Sequence, residues 1–228
     1  MTFAEKVIRF YQSLDLSVPL PEGVLAMNPF QDEVAMTLCD SFYKKFFNDH
    51  LQRTMIIGIN PGRHGGGITG VPFTDPVKLE QLGIPNPLKK KTELSADFIY
   101  RMIEHFGGAE RFYARSFVSA MSPLGFTKDG KNLNYYDIKE LLAAVEPFMI
   151  RCIKTQLDFG ISREVCFCLG EGKNFSYLVK LNGRFGFFKD IIPLAHPRFI
   201  MQYRRKYLDV YVEGYIRNLN SALSGASK

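Results

Sequence analysis

Four short apolar runs, each passing into a turn or loop and separated by longer stretches of helical periodicity, constrain this chain most strongly. They are Thr54-Met55-Ile56-Ile57-Gly58-Ile59 before Asn60-Pro61-Gly62, Ser116-Phe117-Val118, Glu164-Val165-Cys166-Phe167-Cys168-Leu169 before Gly170, and Asp190-Ile191-Ile192-Pro193-Leu194 before Ala195-His196. Runs this short, without polar alternation, suit strands covered on both faces. Helical patterns lie between them at 93–106, at 135–159 with a break expected near Pro147, and at 172–181 closed by Gly183. Strands alternating with helices predict a parallel sheet clothed on both sides, with an α+β domain as the competing architecture.

The flanks read as helices. Phe3, Val7, Phe10 and Leu14 share one face; Asn28 and Pro29, with Gln31 three residues beyond the cap, open a second helix whose stripe is Val34, Leu38, Phe42 and Phe46. A terminal helix over about 203–223 would dock through Tyr207, Tyr211, Tyr215, Leu219 and Leu223. With 46% apolar residues, one domain over 1–228 with a helical N-terminal segment of about 1–50 can bury its own core. That content excludes a disordered or collagen-like chain, and no apolar run reaches the roughly 20 residues of a membrane span. The opening residues lack a secretory h-region, and Cys39, Cys152, Cys166 and Cys168 are too dispersed for a zinc or iron-sulfur framework. Buried thiols, a cytoplasmic setting, a monomer, and neither metal nor cofactor are expected.

Lys and Arg outnumber Asp and Glu by 29 to 23, a formal charge of +6. Lys89-Lys90-Lys91 and Arg204-Arg205-Lys206 concentrate that excess, as a protein facing a polyanion would, although solvation alone also explains such runs.

In open α/β sheets function gathers at the carboxyl ends of the strands, and here the unusual loops, 60–75, 119–134, 170–174 and 195–206, all follow strands. The first holds six glycines between Gly58 and Gly70, yet it lacks the Lys-Ser or Lys-Thr of a P-loop and the spacing of a dinucleotide fingerprint. Its Asn60, locked by Pro61, can hold a water or a substrate group. His196, locked by Pro197, emerges on the same rim. His50, His64 and His105 make no metal pattern with it, no carboxylate pair has acid-base spacing, and no serine elbow is present.

Taken in order, Gly58-Ile59-Asn60-Pro61-Gly62, Gly70-Val71-Pro72-Phe73 and His196-Pro197 resemble the motifs of the uracil-DNA glycosylase superfamily, in particular the single-strand-selective monofunctional type and its bacterial second subgroup. Phe117 to Leu124, Asn132-Leu133-Asn134 and Leu169-Gly170 support the match. The resemblance implies a three-layer α/β/α sandwich with a central four-stranded parallel sheet. It implies hydrolysis of the N-glycosidic bond of a damaged base in DNA, with the nucleotide drawn out of the stack. Asn60 and His196 would be catalytic, the amide orienting water and the imidazole donating to the base. Phe73 would stack on the base within a pocket that includes Ile59 and Gly62. Arg63, Lys89, Lys90, Lys91, Arg198, Phe199, Arg204, Arg205 and Lys206 would meet the DNA.

The chain departs from the family pattern in two places. After His-Pro it continues Arg198-Phe199-Ile200 instead of Ser-Pro-Arg, which leaves Arg198 or Phe199 as the wedge that fills the emptied stack. The family's base-reading asparagine corresponds to Ala120, so strict uracil preference loses its source unless Ser119, Ser122 or backbone compensates, or unless other deaminated bases such as xanthine are accepted. Two further readings stand beside the monofunctional glycosylase: a noncatalytic nucleic-acid binder and a hydrolase of free nucleosides or nucleotides. Lys173 after the third strand is not assigned as a Schiff-base nucleophile, so no strand-cleaving step is expected.

Overall fold

A computed structural model describes residues 1–225, with side chains described through 222. In chain order the elements are α1 (Phe3–Gln12), β1 (Val24–Met27), α2 (Glu33–Phe47), β2 (Arg53–Gly58), α3 (Gly66–Thr69), α4 (Pro76–Gln81), α5 (Leu94–Phe106) and α6 (Ala109–Tyr113). There follow β3 (Ser116–Ala120), β4 (Gly125–Lys128), β5 (Lys131–Leu133), α7 (Lys139–Leu157), β6 (Ile161–Leu169), α8 (Lys173–Phe185), β7 (Asp190–Leu194), α9 (Pro197–Tyr203) and α10 (Leu208–Gly225).

The four apolar runs form one parallel sheet in the order β3-β2-β6-β7. All six positions of β2 are buried, as its lack of polar alternation requires. Helices α1, α2 and α7 pack together, as do α5, α9 and α10, completing an α/β/α sandwich. The registers pair Gly58 with Ala120 and Leu169 with Leu194, so these ends lie along one rim. Asn60 and His196 each follow their strand by two residues, which brings both loops to that rim. At the opposite end of β2, the fully buried Arg53 donates to both Asp49 carboxylate oxygens at 2.8 Å and to the carbonyls of Phe46, Leu51 and Tyr113. Its guanidinium lies against the rings of Phe3 and Phe47, fastening the sheet to α1 and α2.

A second, antiparallel sheet, β1-β4-β5, was not anticipated within the helical N-terminal segment or within the 119–134 loop. Its strands have only three or four residues: Val24–Met27 is apolar but too short to mark a strand, and Gly125–Lys128 and Lys131–Leu133 mix polar and apolar residues, so the period-2 signal is absent. The readable signal was Asp129-Gly130: both residues have positive φ, 50° and 68°, as a two-residue hairpin turn demands.

Several helix boundaries also differ from expectation. α7 runs unbroken through Pro147, because its ring faces solvent while Val145, Phe148, Met149 and Cys152 hold the helix to the core. Packing here outweighs the roughly 3 kcal/mol that proline costs inside a helix. α8 passes through Gly183, which faces open space, and stops at Gly186 with φ +61°. Asn28 caps only a single 3-10 turn, Pro29–Gln31; Asp32 caps α2 by accepting from Ala35, and Val34 is exposed. The terminal segment is two helices, since Arg204 and the turn Arg205–Tyr207 separate α9 from α10. α10 docks through Val212, Tyr215 and Leu219, while Tyr207 is exposed; the Leu223 side chain and residues 226–228 lie outside the described residues.

Candidate active site

Asn60 is held at both ends of its amide. Its Nδ2 donates to the Leu133 carbonyl at 3.0 Å, and its Oδ1 accepts the Tyr135 N–H at 3.0 Å. Both partners belong to the segment leaving β5, so the small sheet fixes the orientation of the asparagine. One lone pair of Oδ1 is thereby occupied and one stays available.

His196 caps α9, and its Nδ1 accepts the Arg198 N–H at 3.2 Å. The neutral ring must then carry its proton on Nε2, as a donor. Burial, reinforced by the Arg198 charge, pushes the imidazole pKa down to about 4, so the ring is neutral near pH 7. The Tyr215 hydroxyl of α10 donates to the Ala195 carbonyl and anchors the chain just before it.

Phe73 has φ +51°, a conformation that an aromatic residue seldom adopts. The loop imposes it: buried Thr69 donates to the Thr74 carbonyl at 2.7 Å, and Thr74 donates to the Pro72 carbonyl at 3.0 Å. The Phe73 ring lies 6.1 Å from that of His196 with an interplanar angle of 53°. It rests over the end of β2, where a Cβ on Gly58 would meet its Cε2 at 3.0 Å, so a close ring requires glycine there.

Asn60, Phe73 and His196 line one cavity of about 430 Å³, together with Ile59, Gly62, Ser119 and Ala120. The Ser119 hydroxyl donates to Gln156. Ser122 does not line the cavity: its hydroxyl donates to the Leu124 carbonyl at 2.8 Å inside the turn after β3, so it cannot stand in for the missing asparagine. Arg198 and Phe199 line the cavity, and so do Gln202 and Tyr203, which sequence reasoning missed. One turn apart on α9, Phe199 and Tyr203 have ring centroids 5.8 Å apart, and the Arg204 guanidinium lies 5.2 Å from the Phe199 ring centre.

Arg63, Lys89, Lys91, Arg204, Arg205 and Lys206 are exposed. Lys90 is exposed too but committed, donating to Asn86 and pairing with Glu80 at 2.7 Å, which weakens its case as a phosphate contact. His64 lines the cavity as well; burial, then the charges of Lys91, Arg63 and Arg198, lowers its pKa, so those cations cluster near the cavity.

Glu93 is a further residue that the sequence did not expose. It lines the cavity at the start of α5, with its carboxylate packed where a Gly65 Cβ would come within 2.0 Å of Oε2. Burial pushes its pKa up to about 7; Asp75 and Asp97 act in the same direction and Arg198 opposes them. All four cysteines are free and buried, and no cluster of three or more His, Cys, Asp or Glu suited to a metal occurs among the described residues. No helix among them is long and apolar enough to cross a membrane.

The model of the uracil DNA glycosylase superfamily matches residues 44–220. The chain belongs to this superfamily. The crystal structure of wild-type SMUG2 from Pedobacter heparinus is 46% identical, superposes with a TM-score of 0.95, and is matched over 98% of this chain and 99% of that one. No curated protein sequence matches. Within the superfamily the likeness to a SMUG-type protein extends over nearly the whole chain, and the α/β/α sandwich is shared.

Proposed function

We propose that this protein is a monofunctional DNA glycosylase that hydrolyses the N-glycosidic bond of uracil, or of another deaminated base such as xanthine, in DNA and leaves an abasic site. The observation that carries the reading is an oriented amide and a neutral imidazole donor lining one cavity walled by an aromatic ring.

The reaction separates charge. As the bond between C1′ and the base nitrogen lengthens, its electron pair goes to the base and positive charge develops on the sugar. The free lone pair of Asn60 Oδ1 holds a water whose oxygen attacks C1′, and that water's proton leaves to solvent or to the departing base. An amide is too weak a base to abstract the proton early, so its contribution is placement. The Nε2–H of His196 donates to the base oxygen where negative charge collects, a contact that strengthens as the bond breaks and is worth a few kcal/mol in a dry site. Phe73 stacks on the extruded base. Phe199, Tyr203 and Arg198 offer stacking and charge to the strand from which the nucleotide came. With Ala120 in place of a base-reading amide, the pocket discriminates weakly among deaminated bases.

A panel of oligonucleotides carrying uracil, xanthine or hypoxanthine, assayed for alkali-sensitive sites, tests the proposal. Base release by the wild-type chain, abolished by Asn60→Ala and strongly reduced by His196→Ala, is expected. Salt-sensitive DNA binding without product would turn the reading into that of a noncatalytic binder, and faster turnover of free deoxyuridine than of the oligonucleotide would make it a nucleoside hydrolase.

A further inference from the structure

We infer that Asn174 is a positioning residue for Asn60, acting through the side chain of Tyr135. Asn174 stands in the first turn of α8 and is 1% exposed; its Oδ1 accepts the Tyr135 hydroxyl at 2.8 Å. Its Nδ2 donates to the Leu169 carbonyl at 3.1 Å and also faces the Gly58 carbonyl at 3.4 Å and the Cys168 sulfur at 3.3 Å. One amide thus ties together the carboxyl ends of the two central strands. Tyr135 is fully buried, and its own N–H is the donor to Asn60 Oδ1 at 3.0 Å.

The chain of contacts closes on itself: Gly58, two residues before Asn60, is held by the same Asn174 that holds the ring of Tyr135. Both the backbone that carries the Asn60 side chain and the backbone group that orients its amide are therefore referenced to one buried point. A buried asparagine with satisfied bonds is often purely structural. Here its bonded partner is the residue that sets the direction of the oxygen proposed to hold water. Losing the tyrosine hydroxyl frees the ring to shift, and a displacement well under 1 Å at Oδ1 is enough to misdirect that water.

This inference rests on the glycosylase reading, and the test separates the two. Tyr135→Phe removes only the hydroxyl. It is expected to slow single-turnover release of uracil from an oligonucleotide about 10-fold, with the DNA dissociation constant held within about twofold. In an Asn174→Ala background the same substitution should cause no further loss, because the partner of the hydroxyl is already gone. An unchanged rate in Tyr135→Phe, or an equal loss in both backgrounds, overturns the inference. If the wild-type chain releases no base, the functional reading fails and the linkage is judged by NMR alone. The Asn60 side-chain NH₂ protons should exchange about fivefold or more faster in Tyr135→Phe than in wild type; equal exchange overturns the link.

Discussion

The backbone N–H of Arg198 donates to Nδ1 of His196 at 3.2 Å, so one hydrogen bond both caps α9 and fixes the tautomer that presents Nε2–H to the cavity. Capping and catalysis can be separated by substitution. Asparagine is a good cap and a poor substitute for the imidazole donor. His196→Asn is expected to keep the wild-type melting temperature while slowing base release about 10²- to 10³-fold. Thermal denaturation run beside single-turnover kinetics checks this; a slow variant that also melts early would assign the loss to the helix instead.

Acidification should tell on the same ring through stability. The folded-state pKa of about 4 lies below the ordinary imidazole value of 6.5, so the fold favours neutral His196. Its contribution is complete above about pH 6.5 and is lost progressively as the pH falls toward about 4. Chemical denaturation of wild type and His196→Asn across pH 4 to 7 is the measurement. The wild type should lose ground relative to the variant on acidification.

Glu93 has the opposite sign. Its carboxyl is raised to about 7 from the ordinary value of 4.5, so its contribution is complete below pH 4.5 and declines as the pH rises through 7. Glu93→Gln removes that decline. The melting temperature of the variant relative to wild type should therefore climb between pH 5 and pH 8, by about 2–4 °C for each kcal/mol relieved. A difference that stays level with pH would show that the carboxylate is not desolvated in the folded state.

For Phe73, truncation to alanine removes the ring that walls the cavity but leaves Asn60 and His196 in place. Base stacking is worth about 1–3 kcal/mol, so binding of an oligonucleotide with an extruded uracil should weaken roughly 5- to 150-fold for every lesion alike. Fluorescence anisotropy with uracil and xanthine oligonucleotides measures it. A loss confined to one lesion would make Phe73 a base reader instead of a platform.

Far from the cavity, Arg53→Leu leaves Asp49 and three carbonyls without their shared donor. The partly exposed Asp49 can turn to water, so the cost comes from the carbonyls left without a donor, about 1–3 kcal/mol. Urea denaturation should show that loss, with base release per folded molecule unchanged.

The parallel sheet could be read from the chain because each of its strands is a local apolar run, and the rim loops because Asn60-Pro61 and His196-Pro197 each follow such a run. The antiparallel sheet was hidden because β1 is too short an apolar stretch to mark a strand and β4 and β5 mix polar with apolar residues, although Asp129-Gly130 marked its turn. Pro147 and Gly183 misled for a common reason. Intrinsic propensity leaves out the packing that overrides it on one helix face and the open solvent that tolerates it on the other.

Sequence alone determined which residues sit at the carboxyl ends of the strands, since polarity pattern and turn chemistry act between neighbours along the chain. Tertiary structure alone decided what those residues can do. The proton position on His196 is set by the amide of Arg198, the free lone pair of Asn60 by the Tyr135 N–H 75 positions later, and the charge of Glu93 by burial against Gly65. Tautomer, orientation and protonation depend on partners and solvent exclusion across space, and those exist only once the distant segments have met.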